Sequence, residues 1–466
     1  MYFKSRAFRK SKLWSITGIM KTIRIANGQG FWGDCIDAPL NLIKYGKIDY
    51  LTLDYLAEVT ISIMQRQKKK NKNLGYATDF IDLIDKAISN IKKNKIKIIA
   101  NAGGVNPEAC REEILKISKK KKIAIKVAVV KGDDIFNQLE DILDNGQSLD
   151  NLYNDEKFSS IKERVYSANV YIDSFSISDA LKLGADIVLC GRISDPGLVV
   201  GPAIYEFGWK RNEYNKLASA TVAGHILECG AQCTGGNFSE WRSVQGLERI
   251  GYPITTISNS GDFEISKPED SGGLINKFTI SEQILYELGN PKEYISPDVC
   301  VDFTSFNIEE IGENKIRITN VKGNPPTDTY KVSISYFNGY KASGQLTISA
   351  PNALDKAKLC SDIVWKKLKN NGKNYNKTST EFLGLSSCHK DLSKRPNIIN
   401  EIVLRLGVKS FCRESVYRFT KELSPLITSG PPGVTGFSEG RPKVREIVAY
   451  WPTLIDKKFI KTTVNI

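Results

Sequence analysis

The chain of 466 residues is 41% hydrophobic and 25% charged, an ordinary globular balance, and is long enough for roughly two to four domains. Its most apolar stretch, ADIVLCGRISDPGLVVGPAIY, is interrupted by Arg192, Asp195 and Pro196, so no membrane span is expected. The net charge of +14 comes from lysine runs such as Lys68–Lys70 and Lys119–Lys122 at helix ends, which reads as solvated faces and argues against a nucleic-acid partner.

Residues 1–19 carry Lys4, Arg6, Arg9, Lys10 and Lys12 and no acid. The segment reads either as an organellar transit peptide, which would place the protein in mitochondria, or as an over-extended start with Met20 as initiator. The second reading is preferred, and 1–19 is set aside as a basic extension. Nine cysteines without a CxxC pair read as reduced thiols, and a cytoplasmic location is expected.

From Lys21 short apolar strands alternate with amphipathic helices, the grammar of an α/β domain with a largely parallel sheet and flanking helices. TIRIAN is a strand, DAPLNLIKYG a helix and YLTLDYLAE a strand; helices over Ile61–Lys69 and Asp79–Lys93 precede the strand IKIIANAGG. NPEACREEILKISKK is helical, IAIKVAVVKGDD a strand and DIFNQLEDILDNG a helix. VYSANVYIDS, SISDALKLG and ADIVLCGRISDP repeat the unit.

Beyond Gly251 the pattern changes. DVCVDFTSFNIEEI, KIRITNVKG, YKVSISYF and GQLTISA alternate apolar and polar residues between turn signals, as antiparallel strands do. The helix LDKAKLCSDIVWKKLKN follows, then the strands TEFLGLSS and NEIVLRLGV, the helix ESVYRFTKELSPLI and a last strand VREIVAYW. The expected division is therefore an α/β domain over 20–290 followed by an α+β domain with antiparallel strands over 291–466.

In open α/β sheets ligands bind beyond the carboxyl ends of the strands. Here NGQGFWGD, DYLAE, NAGGVNP, KGDD, IDSFS and CGRISDP each end a predicted strand. Parallel strands would bring them to one rim and gather Asn27, Asp34, Asp54, Glu58, Asn101, Asn106, Asp133, Asp173, Arg192 and Asp195 around a crevice. Gly28, Gly30, Gly103 and Gly104 would admit a ligand close to backbone. Each Asp or Asn alone is also a common turn or cap residue; the repetition at successive strand ends is what argues for a site. Arg192, directly after ADIVLC, is expected to bind a ligand carboxylate or phosphate through its planar fork, with Asp195 orienting it or moving a proton.

Gly28, Gly30 and Gly33 also spell G-x-G-x-x-G after a strand, with Asp54 at the end of the next, so a dinucleotide-dependent oxidoreductase is an alternative. Phe31, Trp32 and Asp34 in that loop and the late helix start weigh against it.

RIANGQGFWGD, DYLAE, LGYATDF, NAGGVNP, GRISDPGLVVGP, GHILECGAQCTGGNF, SGGL, GNPPTDTYKVS, SGPPGVTG and GRPKVREIVAYWP occur in that order from about Thr22 to Pro452. Together they resemble the acyclic terpene utilisation protein A (AtuA) family. The resemblance implies branched-chain or terpenoid acid catabolism beside acyl-CoA enzymes, with no established catalytic residue to carry over. Larger relatives append a small ferredoxin-like domain with an ARSGDKG-type motif. This chain ends without that motif, so a short form with a separately encoded small subunit is the expectation.

The chain has two histidines. His225 has Glu228 three residues on, Cys229 four and Cys233 eight, so on a helix they share a face. The other, His389, is distant, and zinc lacks a fourth ligand, so no metal is expected. Cys229 reads equally as a nucleophile with His225 as base or as a buried thiol, and Cys233 as packing. His225 and Glu228 form the candidate acid/base pair. Gly235, Gly236 and Asn237 are candidate donors to an oxyanion, and SGPPGVTG could meet an anion through its amides. The leading expectation is an enzyme using acid/base chemistry on a branched acyl-CoA or related carboxylate, with CoA only as part of the substrate and a homo-oligomeric assembly. A noncatalytic subunit of an acyl-CoA-processing complex is the third reading.

Overall fold

The computed structural model describes residues 21–393, 398–436 and 440–466; the basic segment 1–19 lies outside the described residues. The chain forms two compact units, one of the segments up to Leu149, Asn169–Ser333 and Thr453–Ile466, the other of Asp150–Ala168 and Ile334–Pro452.

The first unit is built on a ten-stranded sheet. In chain order its strands are β1 (Thr22–Asn27), β2 (Tyr50–Leu53), β3 (Lys97–Ala100), β4 (Val127–Lys131) and β5 (Ile187–Leu189). These are followed by β6 (Ile254–Ser258), β7 (Phe263–Ser266), β8 (Asn307–Gly312), β9 (Lys315–Thr319) and β10 (Thr463–Asn465). Across the sheet they run β8-β9-β7-β6-β1-β2-β3-β5-β4-β10. β1, β2, β3, β5 and β4 are mutually parallel, so all five end on one edge, at Asn27, Leu53, Ala100, Leu189 and Lys131. The β6, β7, β9, β8 extension and β10 pair antiparallel.

Strand alternation separates two helical layers. Leu51, Leu53, Ile98 and Ala100 join one core with the helices Asp37–Tyr45, Thr78–Lys93 and Pro107–Lys121. Tyr50 points the other way and donates to Glu206 on the helix Gly197–Phe207 at 2.6 Å. The strand path explains the layers. Steps from β1 to β4 advance in one direction, and right-handed crossovers keep their helices on one face. The return to β5 reverses direction, which sends the crossover helix Phe175–Lys182 and the helices Gly197–Phe207 and Tyr214–Glu228 to the opposite face. Tyr214–Glu228 is buried continuously from Leu217 to Leu227, so it has no polar face to solvent.

In the second unit the strands Lys377–Leu383, Glu401–Ser410, Thr329–Ser349 and Arg445–Asp456 lie side by side in that order. The helix Ala353–Asn370 covers them, packing Ala357, Cys360, Val364 and Leu368 with Leu346, Ile348, Leu404 and Leu406. The α/β class with a largely parallel centre and a separate antiparallel sheet is thus as the sequence indicates. Among the described residues no helix is long and apolar enough to cross a membrane.

Three features differ from the sequence reading. Residues 291–333 belong to the first unit, because β8 and β9 extend its sheet through β7. The strand Val165–Val170 does not repeat the βα unit; it pairs with Thr329–Ser349. YKVSISYF and GQLTISA form one strand of 21 residues, since Gly339, read as a turn, takes φ 93° within it and lets the strand continue.

Candidate functional site

The rim of the parallel strands is organised around the turn that leaves β5. Gly191 has no room for a side chain because the Asp133 carboxylate fills that space. Asp133 Oδ2 accepts from the Arg192 amide at 2.7 Å and from Asn169 Nδ2 at 2.9 Å, and burial pushes its carboxyl up to about 6. Asp133 thus clamps the turn.

The Arg192 side chain, 2% exposed, lies over the Tyr171 ring, its Cζ 4.1 Å from the centroid. Its Nη1 donates to the Leu56 carbonyl at 2.6 Å and sits 2.7 Å from Asp195 Oδ1, while Nη2 donates to Asp195 Oδ2 at 3.2 Å. The fork expected to meet a ligand is spent on Leu56 and Asp195. Asp195 is the reachable member of the pair, at 35% exposure.

Around this pair stand further carboxylates. Asp54 Oδ1 accepts from Asn101 Nδ2 at 2.6 Å and from the Leu56 amide at 3.2 Å, while Asn101 Oδ1 accepts from the Tyr55 amide. Burial and the charge of Asp195 hold the Asp54 carboxyl well above its ordinary range, against the pull of Arg192. Glu58 opens the helix Glu58–Lys70 and accepts from the Tyr171 hydroxyl at 2.8 Å. Burial would raise its carboxyl, but its own amide, Arg192, Tyr171 and Lys331 together hold it low. Lys331 faces the same acids, with burial depressing its ammonium.

The helix Tyr214–Glu228 supplies the other wall. A Cβ on Gly224 would lie 2.5 Å from the Pro196 carbonyl, so only glycine lets this helix lie against the turn carrying Asp195. At its end, Asn27 Nδ2 donates to the carbonyls of Leu227 and Glu228 at 2.8 and 3.0 Å. His225 is 1% exposed, edge-on to Tyr294 and Phe303. Its Nε2 lies 3.3 Å from the Ile284 carbonyl and its Nδ1 3.0 Å from Glu228 Oε1. A carbonyl only accepts, so Nε2 carries a proton, and Nδ1 and Oε1 can then stand this close only if one of them is protonated. Burial acts to discharge His225, and the Glu228 carboxylate outweighs it, so the imidazole is raised; burial also raises Glu228, against His225. The two groups face each other at ion-pair distance, with Nδ1 outside hydrogen-bond geometry. Glu228 Oε2 is buried without a hydrogen-bond partner and feels the charge of Asp195.

The chain matches the model of the Acyclic terpene utilisation family protein AtuA over residues 23–466. It belongs to that family. No curated protein and no solved structure matches it. In this AtuA-family chain the structure therefore brings together Asp54, Glu58, Asn101, Arg192, Asp195, His225 and Glu228.

Other candidates serve the frame. Asp34 accepts from the Gly30 and Cys35 amides and from the Tyr252 hydroxyl. Asn106 pins the carbonyls of Lys72 and Leu74. Gly28 abuts Pro39, and Gly30 would place a Cβ 2.9 Å from the Cys229 carbonyl carbon, so these glycines admit protein backbone where a dinucleotide loop admits pyrophosphate. Gly103 packs on Pro107 and Cys190, and Gly104 turns with φ 53°. The Gly235 and Gly236 amides donate to the carbonyls of Gln232 and Ala231, and Asn237 is an exposed turn residue with φ 58°, so the expected oxyanion donors are already engaged or turned outward. In SGPPGVTG the Thr435 amide donates to Thr347, which makes that loop a structural turn.

Cys229 has a thiol pushed up to about 12 by burial and by Glu228, and both nitrogens of His225 face other groups, so the arrangement does not activate it as a nucleophile. Cys233 is buried against the Gly230 carbonyl, as packing. Among the described residues no three of His, Cys, Asp or Glu are placed to hold a metal ion. Tyr171, Tyr294 and Lys331 were not singled out from the sequence. Tyr171 directly precedes IDSFS and Lys331 lies within GNPPTDTYKVS, segments that were singled out as wholes.

Proposed function

We propose that the AtuA-family chain is an enzyme that moves a proton to and from carbon in a branched carboxylic acid or its acyl-CoA ester, in the utilisation of acyclic terpenes. The observation that carries this reading is the buried approach of His225 Nδ1 to Glu228 Oε1 at 3.0 Å, with the unpartnered Glu228 Oε2 close enough to feel the half-exposed carboxylate Asp195. Asp195 is held in place by Arg192 and half open to solvent, which suits a general base. It takes the proton next to the carbonyl, and the electron pair moves onto the carbonyl oxygen. Lys331 offers a cation to that oxygen. Glu228 returns a proton and His225 restores it. A site that already contains several acids and two fixed cations needs no redox group for this chemistry.

The test is exchange of α-hydrogen for deuterium in heavy water, followed by NMR over a panel of branched free acids and their CoA esters. Exchange with the wild type and its loss in Asp195→Asn and His225→Gln, at unchanged melting temperature, is the expected result. Exchange that survives both substitutions would overturn the assignment, as would a panel in which nothing exchanges.

A further inference from the structure

The second unit contains a cavity of about 830 Å³ that the chemistry above does not use. Among the described residues its lining includes Lys341, Lys377, Lys409, Arg441, Lys443 and Arg445 and no carboxylate. We propose that this cavity is a binding site for a small molecule carrying two or more phosphate groups.

The argument begins with strand register. Lys409 lies directly opposite Lys341 on one side and Lys377 on the other, which puts three ammonium groups in one row on the same face of the sheet. Like charges directly opposite one another destabilise a ladder. Lys409 responds as expected: burial, then the charges of Lys377 and Arg164, depress its ammonium. Four residues along, the same strands show how such a charge is ordinarily balanced. There Arg405 lies opposite Glu381 and donates to both its oxygens at 2.6 and 3.1 Å. None of the six cations of the cavity has such a carboxylate partner among the described residues. An unbalanced row held in register is explained by an anion that balances it when bound.

The rung between these two shapes the floor. Ser343, Gly407 and Ser379 are paired across it, so a bare glycine lies between two hydroxyls. That leaves a hollow in the middle strand, with hydroxyl donors on either side and cations above. Charge-assisted hydrogen bonds from Arg and Lys, with hydroxyls beside them, are how clustered phosphate oxygens are recognised. The volume suits a nucleotide- or coenzyme-sized molecule. Among the described residues no aromatic ring lines the cavity, which argues against the stacking platform of a single-stranded nucleic-acid site. The proposal stands whether or not the acid centre of the first unit moves protons.

The experiment is titration calorimetry on the whole protein at low ionic strength with inorganic tripolyphosphate, ATP, CoA and dephospho-CoA, repeated on the triple variant Lys341→Ser, Lys377→Ser, Lys409→Ser. Binding of at least one of these to the wild type, weakened tenfold or more in the variant, is expected. The unliganded variant should melt at or above the wild-type temperature, because repulsion has been removed, and this separates lost binding from lost folding. CoA binding that dephospho-CoA does not match would identify the coenzyme as the source of the phosphates. ATP or tripolyphosphate binding without CoA would identify a free polyphosphate. The proposal fails if none of the four binds, or if the variant binds as the wild type does.

Discussion

Arg192 carries its charge inward. Its guanidinium lies over Tyr171 and is bonded to Leu56 and Asp195, so its effect on any substrate passes through Asp195. Lysine has one ammonium group and no planar face, and cannot make these contacts together. Arg192→Lys should therefore lower stability by about 3 kcal/mol, the scale for disrupting a buried charge pair, seen as a fall in melting temperature. A variant that melts normally yet loses ligand affinity would return Arg192 to the role of direct ligand contact. Cys229 gives a second prediction. With its thiol pushed up to about 12, it should alkylate slowly with iodoacetamide at pH 7.5 in the folded protein, and Cys229→Ser should retain turnover. Rapid modification that abolishes activity would refute this. At this scale the sequence marked the residues that chemistry makes conspicuous: a scarce histidine, acids at strand ends, an arginine before proline. It did not mark Lys331, because a lysine in an alternating strand reads as solvent-facing, and only the tertiary fold turns it toward Glu58.

The elements hold these groups through close backbone approaches. The helix Tyr214–Glu228 presents His225 and Glu228 beside Asp195 because Gly224 lies bare against Pro196. Gly224→Ala places a methyl group 2.5 Å from the Pro196 carbonyl oxygen, so the helix must shift. The expected cost is about 1–3 kcal/mol, as for overpacking in a close-packed core, together with loss of turnover, since His225 and Glu228 move with the helix. Thermal melts and activity of the variant check both; an unchanged melt would show that the contact relaxes easily. Helices and strands themselves were legible, because their apolar periods are strong: the helix Thr78–Lys93 buries Phe80, Ile84, Ile88 and Ile91 at the expected spacing. Pairing partners were not. Nothing local in VYSANV says that it will join a strand more than 160 residues later in the chain, as Ser167 does when it meets Ser335 across 168 residues.

For the molecule as a whole, several buried carboxyls are raised in the same direction: Asp54, Glu228, Asp133 to about 6 and Asp298 to about 7. A folded state that keeps a proton which the unfolded chain releases loses stability as pH rises from the unfolded value through the folded one. Melting temperature should therefore fall between about pH 4 and pH 7. Asp133 alone, ordinarily at 3.8 and here near 6, accounts for about 3 kcal/mol of that change. Asp133→Asn retains both hydrogen bonds, since both reach the same oxygen, and removes the charge. Its melting temperature should depend less steeply on pH, and an unaltered slope would show that another group carries the effect. The change of apolar pattern along the chain offers one boundary at 290/291, whereas the first unit gathers three separated segments; sequence order is silent on which segments reassemble.

The position of β1 has a consequence for the protein while it is being made. Its partner on one side, β2, is synthesised soon after it, but its other partner is β6, which begins at Ile254. At ordinary ribosomal speeds the intervening stretch takes roughly ten to fifty seconds to emerge. For that interval β1 has a finished hydrogen-bonding edge and nothing native to place on it, so the nascent chain is most exposed to wrong partners before the site has begun to form. Slower crowding, lower temperature or a holding chaperone during synthesis should raise the folded yield far more than they change the stability of the finished protein.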